Sequence, residues 1–151
     1  MYQRILVPVD GSPTSNEALA TAVKLAKNFG ARLRLIHMVD ELVYAAGYEG
    51  GYGSYNTDLT TLLRETGAKL LAEGVASARA AGIEAESELF EKYGERLGET
   101  VAKAATDWKA DLIVVGTHGR RGLGRVLLGS GAEQIIRQAP VHVLVVRAPG
   151  A

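Results

Sequence analysis

Residues 116–131 read Gly-Thr-His-Gly-Arg-Arg-Gly-Leu-Gly-Arg-Val-Leu-Leu-Gly-Ser-Gly. Six glycines and three arginines lie between an apolar run, Asp111–Val115, and an amphipathic segment, residues 132–139. The first reads as a buried strand and the second as a short helix. A glycine-rich strand-to-helix loop brings backbone N–H groups close to an anion, and a phosphate is the natural one. Glycine at 116, 119 and 129 leaves room for that approach because no Cβ intervenes. Ser130 then stands at a helix N-terminus, where its hydroxyl and the free N–H groups can receive a phosphate. Arg120, Arg121 and Arg125 offer charge-assisted contacts of the bidentate kind.

Elements on either side must hold that loop. Arg4–Val9 is short, apolar and β-branched, which predicts a buried strand. Asp-Gly-Ser-Pro (10–13) breaks it. Pro13 suits a first helical turn, and Thr14 with Glu17 fits a capping box. Ala18, Ala22, Leu25, Ala26 and Phe29 recur at helical spacing until Gly30. Arg32–Val39 predicts a second strand. Residues 40–57, with Tyr44, Tyr48, Tyr52 and Tyr55, read as a long solvated loop.

A helix over about 58–81 follows, its apolar face drawn from Leu59, Leu62, Leu63, Leu70, Leu71 and Val75. Ile83–Phe90 alternates, with Ile83, Ala85, Ser87 and Leu89 on one face and Glu84, Glu86 and Glu88 on the other, as an edge strand does. Glu95–Trp108 predicts a third helix with Leu97, Val101, Ala104, Ala105 and Trp108 inward. Residues 141–147 predict strand five. The order βαβαβαβαβ predicts an α/β fold: one doubly wound, five-stranded parallel sheet with helices on both faces. With strand order 3-2-1-4-5 the winding reverses between strands one and four, and ligands bind at such points. Asp10 and Gly116 would meet there.

The bulk composition narrows the function. At 151 residues one domain, 1–151, is expected. Seventeen basic and seventeen acidic residues cancel, so no global field favours nucleic acid or an acidic membrane. The chain has no cysteine, which excludes thiol chemistry and fits a cytoplasmic setting. No signal peptide and no membrane span is read. His37 and His142 lie in apolar strands and read as buried, satisfied histidines, not ligands. His118 reads as a solvated loop residue. Three scattered histidines make no metal site. Asp10 alone reads equally as an Asx-turn, Ser130 as an N-cap, and Met38 as core packing.

The loop is neither the dinucleotide fingerprint nor a P-loop. Its spacing is Gly116-x-x-Gly119, nine residues, then Gly129-Ser130. That arrangement resembles the ATP-binding subgroup of the universal stress protein family. Ile-Leu-Val-Pro-Val-Asp-Gly-Ser (5–12), Leu-Ile-His-Met-Val-Asp (35–40), Ala-Asp-Leu-Ile-Val-Val-Gly-Thr-His-Gly (110–119) and Ala-Pro-Val-His-Val-Leu-Val-Val (139–146) carry the resemblance in family order. It implies that Val115, Gly116, Gly119, Gly129, Ser130 and Gly131 line the ribose and phosphates, where Arg120 could add its charge-assisted contact. It also implies that Pro8, Val9 and Asp10 lie beside adenine and ribose, and that Met38 offers backbone groups to the adenine edge. Gly131 departs from the apolar residue usual after Gly-Ser, and Val141-His142 departs from Cys-Pro.

The resemblance implies ATP as ligand, Mg²⁺ held mainly by phosphate oxygens, a homodimer through strand five, and a protein partner not identified by the sequence. No general base is evident near a γ-phosphate, so any hydrolysis is expected to be slow. Two alternatives stay open: a nucleotide hydrolase or transfer enzyme using His118 and Arg120, and a nucleotide-free dimeric adaptor.

Overall fold

A computed structural model of the chain describes residues 1–39, 53–91, 96–117 and 128–149. Five strands and four helices alternate among them: β1 (Arg4–Pro8), α1 (Pro13–Phe29), β2 (Arg32–Met38), α2 (Gly53–Ala80), β3 (Ala85–Phe90), α3 (Leu97–Trp108), β4 (Leu112–Gly116), α4 (Ser130–Gln138) and β5 (His142–Val146). The strands form one parallel sheet in the order β3-β2-β1-β4-β5. The predicted topology and its reversal between β1 and β4 are therefore present.

Alternation along the central strands divides the core. Ile5, Val7, Leu33, Leu35, Leu112 and Val114 pack with Ala18, Ala22 and Ala26 of α1 and Leu71, Val75 and Ala78 of α2. Leu6, Ile36, Ile113 and Val115 face the other way, onto Val101, Ala104, Ala105 and Trp108 of α3 and Ile135 of α4. This two-sided burial is why the central strands read as continuous apolar runs. Among the described residues no helix is long and apolar enough to cross a membrane.

Several local expectations are corrected. The cap of α1 is Ser12, whose Oγ accepts from Ser15 N at 3.2 Å. Thr14 is already helical and buried. Pro13 fixes the first helical position, so the capping residue must precede it. Phe29 is exposed and meets Tyr2 edge-on, with ring centroids 5.5 Å apart. Helix α2 begins at Gly53, so 53–57 are helical although they read as loop. Extending an established helix costs far less than nucleating one, and weak local propensity yields to it.

On α2, Leu62 is exposed, and the buried stripe runs through Gly67, Leu71, Gly74 and Ala78. Leu62, five residues before Gly67, lies about 140° around the helix from that stripe. Gly67 and Gly74 are there for proximity. A Cβ would lie 2.6 Å from the His37 ring at the first and 2.4 Å from Leu35 at the second. Strand β3 is shorter than expected, and Ser87 is exposed. Its glutamates are paired: Arg34 meets Glu86 at 2.9 Å and Glu88 at 3.5 Å, and Arg32 meets Glu84 at 3.8 Å. Helix α4 begins at Ser130, two residues before the predicted start.

Candidate functional site

The crevice opens because the β1–β4 ladder stops early. Paired Cα positions end at Leu6↔Ile113, although β1 runs to Pro8 and β4 to Gly116. The cause is legible in the hydrogen bonds. Asp111 N donates to Arg4 O, so even positions of β1 face β4. Val9 N donates to Ile36 O, so odd positions face β2. Pro8 falls on the β4 side and has no N–H to give. The next rung cannot form, and the strands part.

Asp10 follows directly. Its Oδ1 accepts from Ser12 N at 2.8 Å, an Asx-turn, and its own N–H donates to Ser15 Oγ at 3.0 Å. Gly11 sits between at φ 82°, a left-handed conformation that favours glycine. The turn points α1 into the wedge between the strands. There Gly116 meets Thr14: a Cβ on Gly116 would lie 2.7 Å from the Thr14 carbonyl carbon and 2.7 Å from Oγ1. Asp10 and Gly116 thus flank the same opening, as topology predicted. The space beside Gly116 belongs to the head of α1.

On the β2 side, Val9 is buried and Met38 half-buried. His37 is buried, and its Nδ1 lies 2.8 Å from Val9 O. That is the carbonyl to which a continued ladder would bring Met38 N–H. His37 is therefore a satisfied histidine that fixes the backbone one residue before Asp10.

On the β4 side, Val115 is buried and Thr117 follows Gly116 with its backbone pinned twice. Thr117 N donates to Val146 O at 2.9 Å, and Thr117 O accepts from Gly129 N at 2.6 Å. The second bond seats the start of α4 against the end of β4. Gly129 is the N-cap of α4, with no side-chain cap bond. The first-turn N–H groups of this helix therefore lack the usual side-chain acceptor. Ser130 is the first helical residue and exposed; Gly131 is half-buried against Leu97 of α3. The first turns of α3 and α4 are held together there, because a Cβ on Gly98 would lie 2.8 Å from Gln134 O.

Thr117 escaped the sequence reading. Its Oγ1 is buried and has no hydrogen-bond partner among the described residues. Its position between two motif glycines hid it, since that spacing leaves the residue type open. Gly119, Arg120, Arg121, Arg125, His118 and the segment carrying Tyr44, Tyr48 and Tyr52 lie outside the described residues. Pro8, Val9, Asp10 and Met38 are brought to one wall of the crevice. Val115, Gly116, Gly129, Ser130 and Gly131 are brought to the other.

The sequence profile of the universal stress protein family matches residues 1–147. The chain belongs to this family. It is 38% identical over 149 residues to a universal stress protein of Methanocaldococcus jannaschii, covering 99% of this chain and 84% of that one. Among solved structures it is similar to the hypothetical protein MJ0577, with a TM-score of 0.83, 26% identity and coverage of 100% and 99%. A universal stress protein solved in complex with cAMP is 26% identical, with a TM-score of 0.62 and coverage of 97% and 98%.

Two predictions test this geometry. Pro8→Ala restores an N–H facing β4 and closes one further rung; amide exchange at position 8 of that variant should be slowed well below the rate of an unstructured residue. Unprotected exchange there would show that something other than proline parts the strands. Gly116→Ala forces the head of α1 away and should cost about 1–3 kcal/mol by denaturant unfolding of the ligand-free protein. An unchanged midpoint would show that α1 yields freely.

Proposed function

We propose that this universal stress protein holds ATP in the β1–β4 crevice and acts as a nucleotide-dependent regulator rather than a fast enzyme. The observation that carries the reading is the pairing of parted strand ends with the uncapped head of α4. One offers a slot between Pro8–Asp10 and Val115–Gly116. The other offers N–H donors at Gly129–Gly131 for phosphate oxygens. The family relative solved with cAMP supports an adenine nucleotide as the ligand class. Met38 and Val9 supply backbone groups near the base, and Asp10 accepts from ribose hydroxyls. The family motif implies Gly119 on the phosphate side, and Arg120 would add a charge-assisted contact there.

No group of three or more His, Cys, Asp or Glu suited to a metal occurs among the described residues. A Mg²⁺ ion would therefore rely on phosphate oxygens, as that ion does in many nucleotide sites. Asp10 is engaged in its turn at the adenosine end, far along the ligand from a γ-phosphate. Turnover should be slow, and a rate of about 1–10³ per second would overturn the regulatory reading. Calorimetry should show ATP binding by the wild type. Gly129→Val should abolish it with the far-UV circular dichroism unchanged. Gly129 has φ −65° and ψ 156°, which a β-branched residue adopts readily, so the substitution acts on phosphate space. Retained affinity in a folded Gly129→Val protein would refute the cradle.

The reading includes a homodimer through β5, with a further protein partner sensing the loaded state. β5 pairs with β4 on one side and is a sheet edge on the other. Leu144 on it is exposed, at 38%. An exposed apolar edge is a template for a second copy. Leu144→Lys should convert a dimer to a monomer in sedimentation at micromolar concentration. A wild type that is already monomeric would remove β5 as the interface.

A further inference from the structure

We infer that the Thr117 hydroxyl is a phosphate-recognising contact of this site, left without a partner until a phosphate-bearing ligand reaches the head of α4. The inference rests on the nucleotide reading above. Thr117 is 8% exposed, and its Oγ1 has no hydrogen-bond partner among the described residues. A buried hydroxyl without a partner is costly and uncommon, and valine would fill the same volume without that cost. The backbone cannot carry the group elsewhere. Its N–H is tied to Val146 O and its carbonyl to Gly129 N.

Strand alternation gives the direction. Val115 packs with the α3–α4 cluster, and Gly116 turns to Thr14 of α1. Continuing that alternation returns residue 117 to the face that carries α4. The N-cap of that helix has no side chain, so its first-turn N–H groups lack an acceptor of the usual kind. An orphan hydroxyl and an uncapped helix start, joined by the Gly129–Thr117 bond, are two donor sets with one missing acceptor. A phosphate group has oxygens enough for both. The hydroxyl is closed off from water in the ligand-free state, so binding must shift the atoms that cover it. Thr117 thereby ties the filling of the site to a local rearrangement at the β4–α4 junction. It also favours phosphate-bearing ligands over the bare nucleoside.

The test is calorimetric titration of wild type, Thr117→Val and Thr117→Ser with adenosine, AMP and ATP, with thermal unfolding of each ligand-free protein. Thr117→Val should melt at or above the wild type. Its affinity for AMP and ATP should fall about tenfold or more, while adenosine binds as to the wild type. Thr117→Ser should keep the wild-type preference for phosphate. Equal loss for adenosine would make the role one of packing and overturn the inference, as would unchanged AMP and ATP affinity in Thr117→Val. Wild-type protein that binds none of the three ligands would instead overturn the nucleotide reading on which the inference stands.

Discussion

A single missing N–H organises the crevice at the carboxyl ends of the strands. Pro8 lies on the β4 side of β1, at the point where the parallel ladder would add its next rung. Without a donor there, β1 and β4 separate while each keeps its outer partner, β2 and β5. A gap at the centre of a sheet covered on both faces must be filled or used. The head of α1 fills its inner part through Thr14, and the remaining opening lies between Asp10 and the β4–α4 junction. The fold and the site are thus linked at one backbone position. Sheet topology decides where the winding reverses, and proline decides how wide the reversal opens.

The helices that frame the opening are located by close backbone contacts. Gly116 admits α1, Gly98 admits α4, and Gly67 and Gly74 bring α2 down onto His37 and Leu35. Each contact replaces a Cβ with a neighbour's atoms, so small shifts are resisted as overpacking. The result is a preorganised cradle. His37, wedged under Gly67, holds the Val9 carbonyl, while the Asx-turn of Asp10 and the Ser12 cap aim α1. Preorganisation of this kind reduces the ordering cost of binding a small ligand.

The fold was readable because two-sided burial gives the central strands uninterrupted apolar runs, and right-handed crossovers leave few ways to connect them. The crevice followed from the same rules. What could not be read was the reason for individual residues. Gly116 looked like room for phosphate and is room for Thr14, because spacing along the chain does not show which neighbour fills a missing side chain. Leu62 looked buried because leucine is apolar, but α2 places its glycines on the core side. Thr117 was invisible because what marks it is a hydrogen bond absent among the described residues, and only three-dimensional accounting exposes that. Ser12 rather than Thr14 caps α1 because Pro13 had already fixed the first helical position.

The two edges of the sheet are handled oppositely, and this bears on what the protein can do when loaded. At β3, Arg32 and Arg34 neutralise a row of glutamates that would otherwise repel one another, and charged side chains discourage further strand addition. At β5, the exposed apolar residues leave strand addition open. Thr117 connects this second edge to the ligand end, since its N–H is held by Val146, the last residue of β5. Any rearrangement that pairs the Thr117 hydroxyl acts next to that bond. Under the proposed nucleotide reading, a signal would pass from a bound phosphate to the edge of the sheet through two adjacent residues of backbone, without a long chain of moving parts. On that reading the coupling would call for a ligand that stays bound, in keeping with the uncapped start of α4 and with an Asp10 carboxylate engaged in holding a turn.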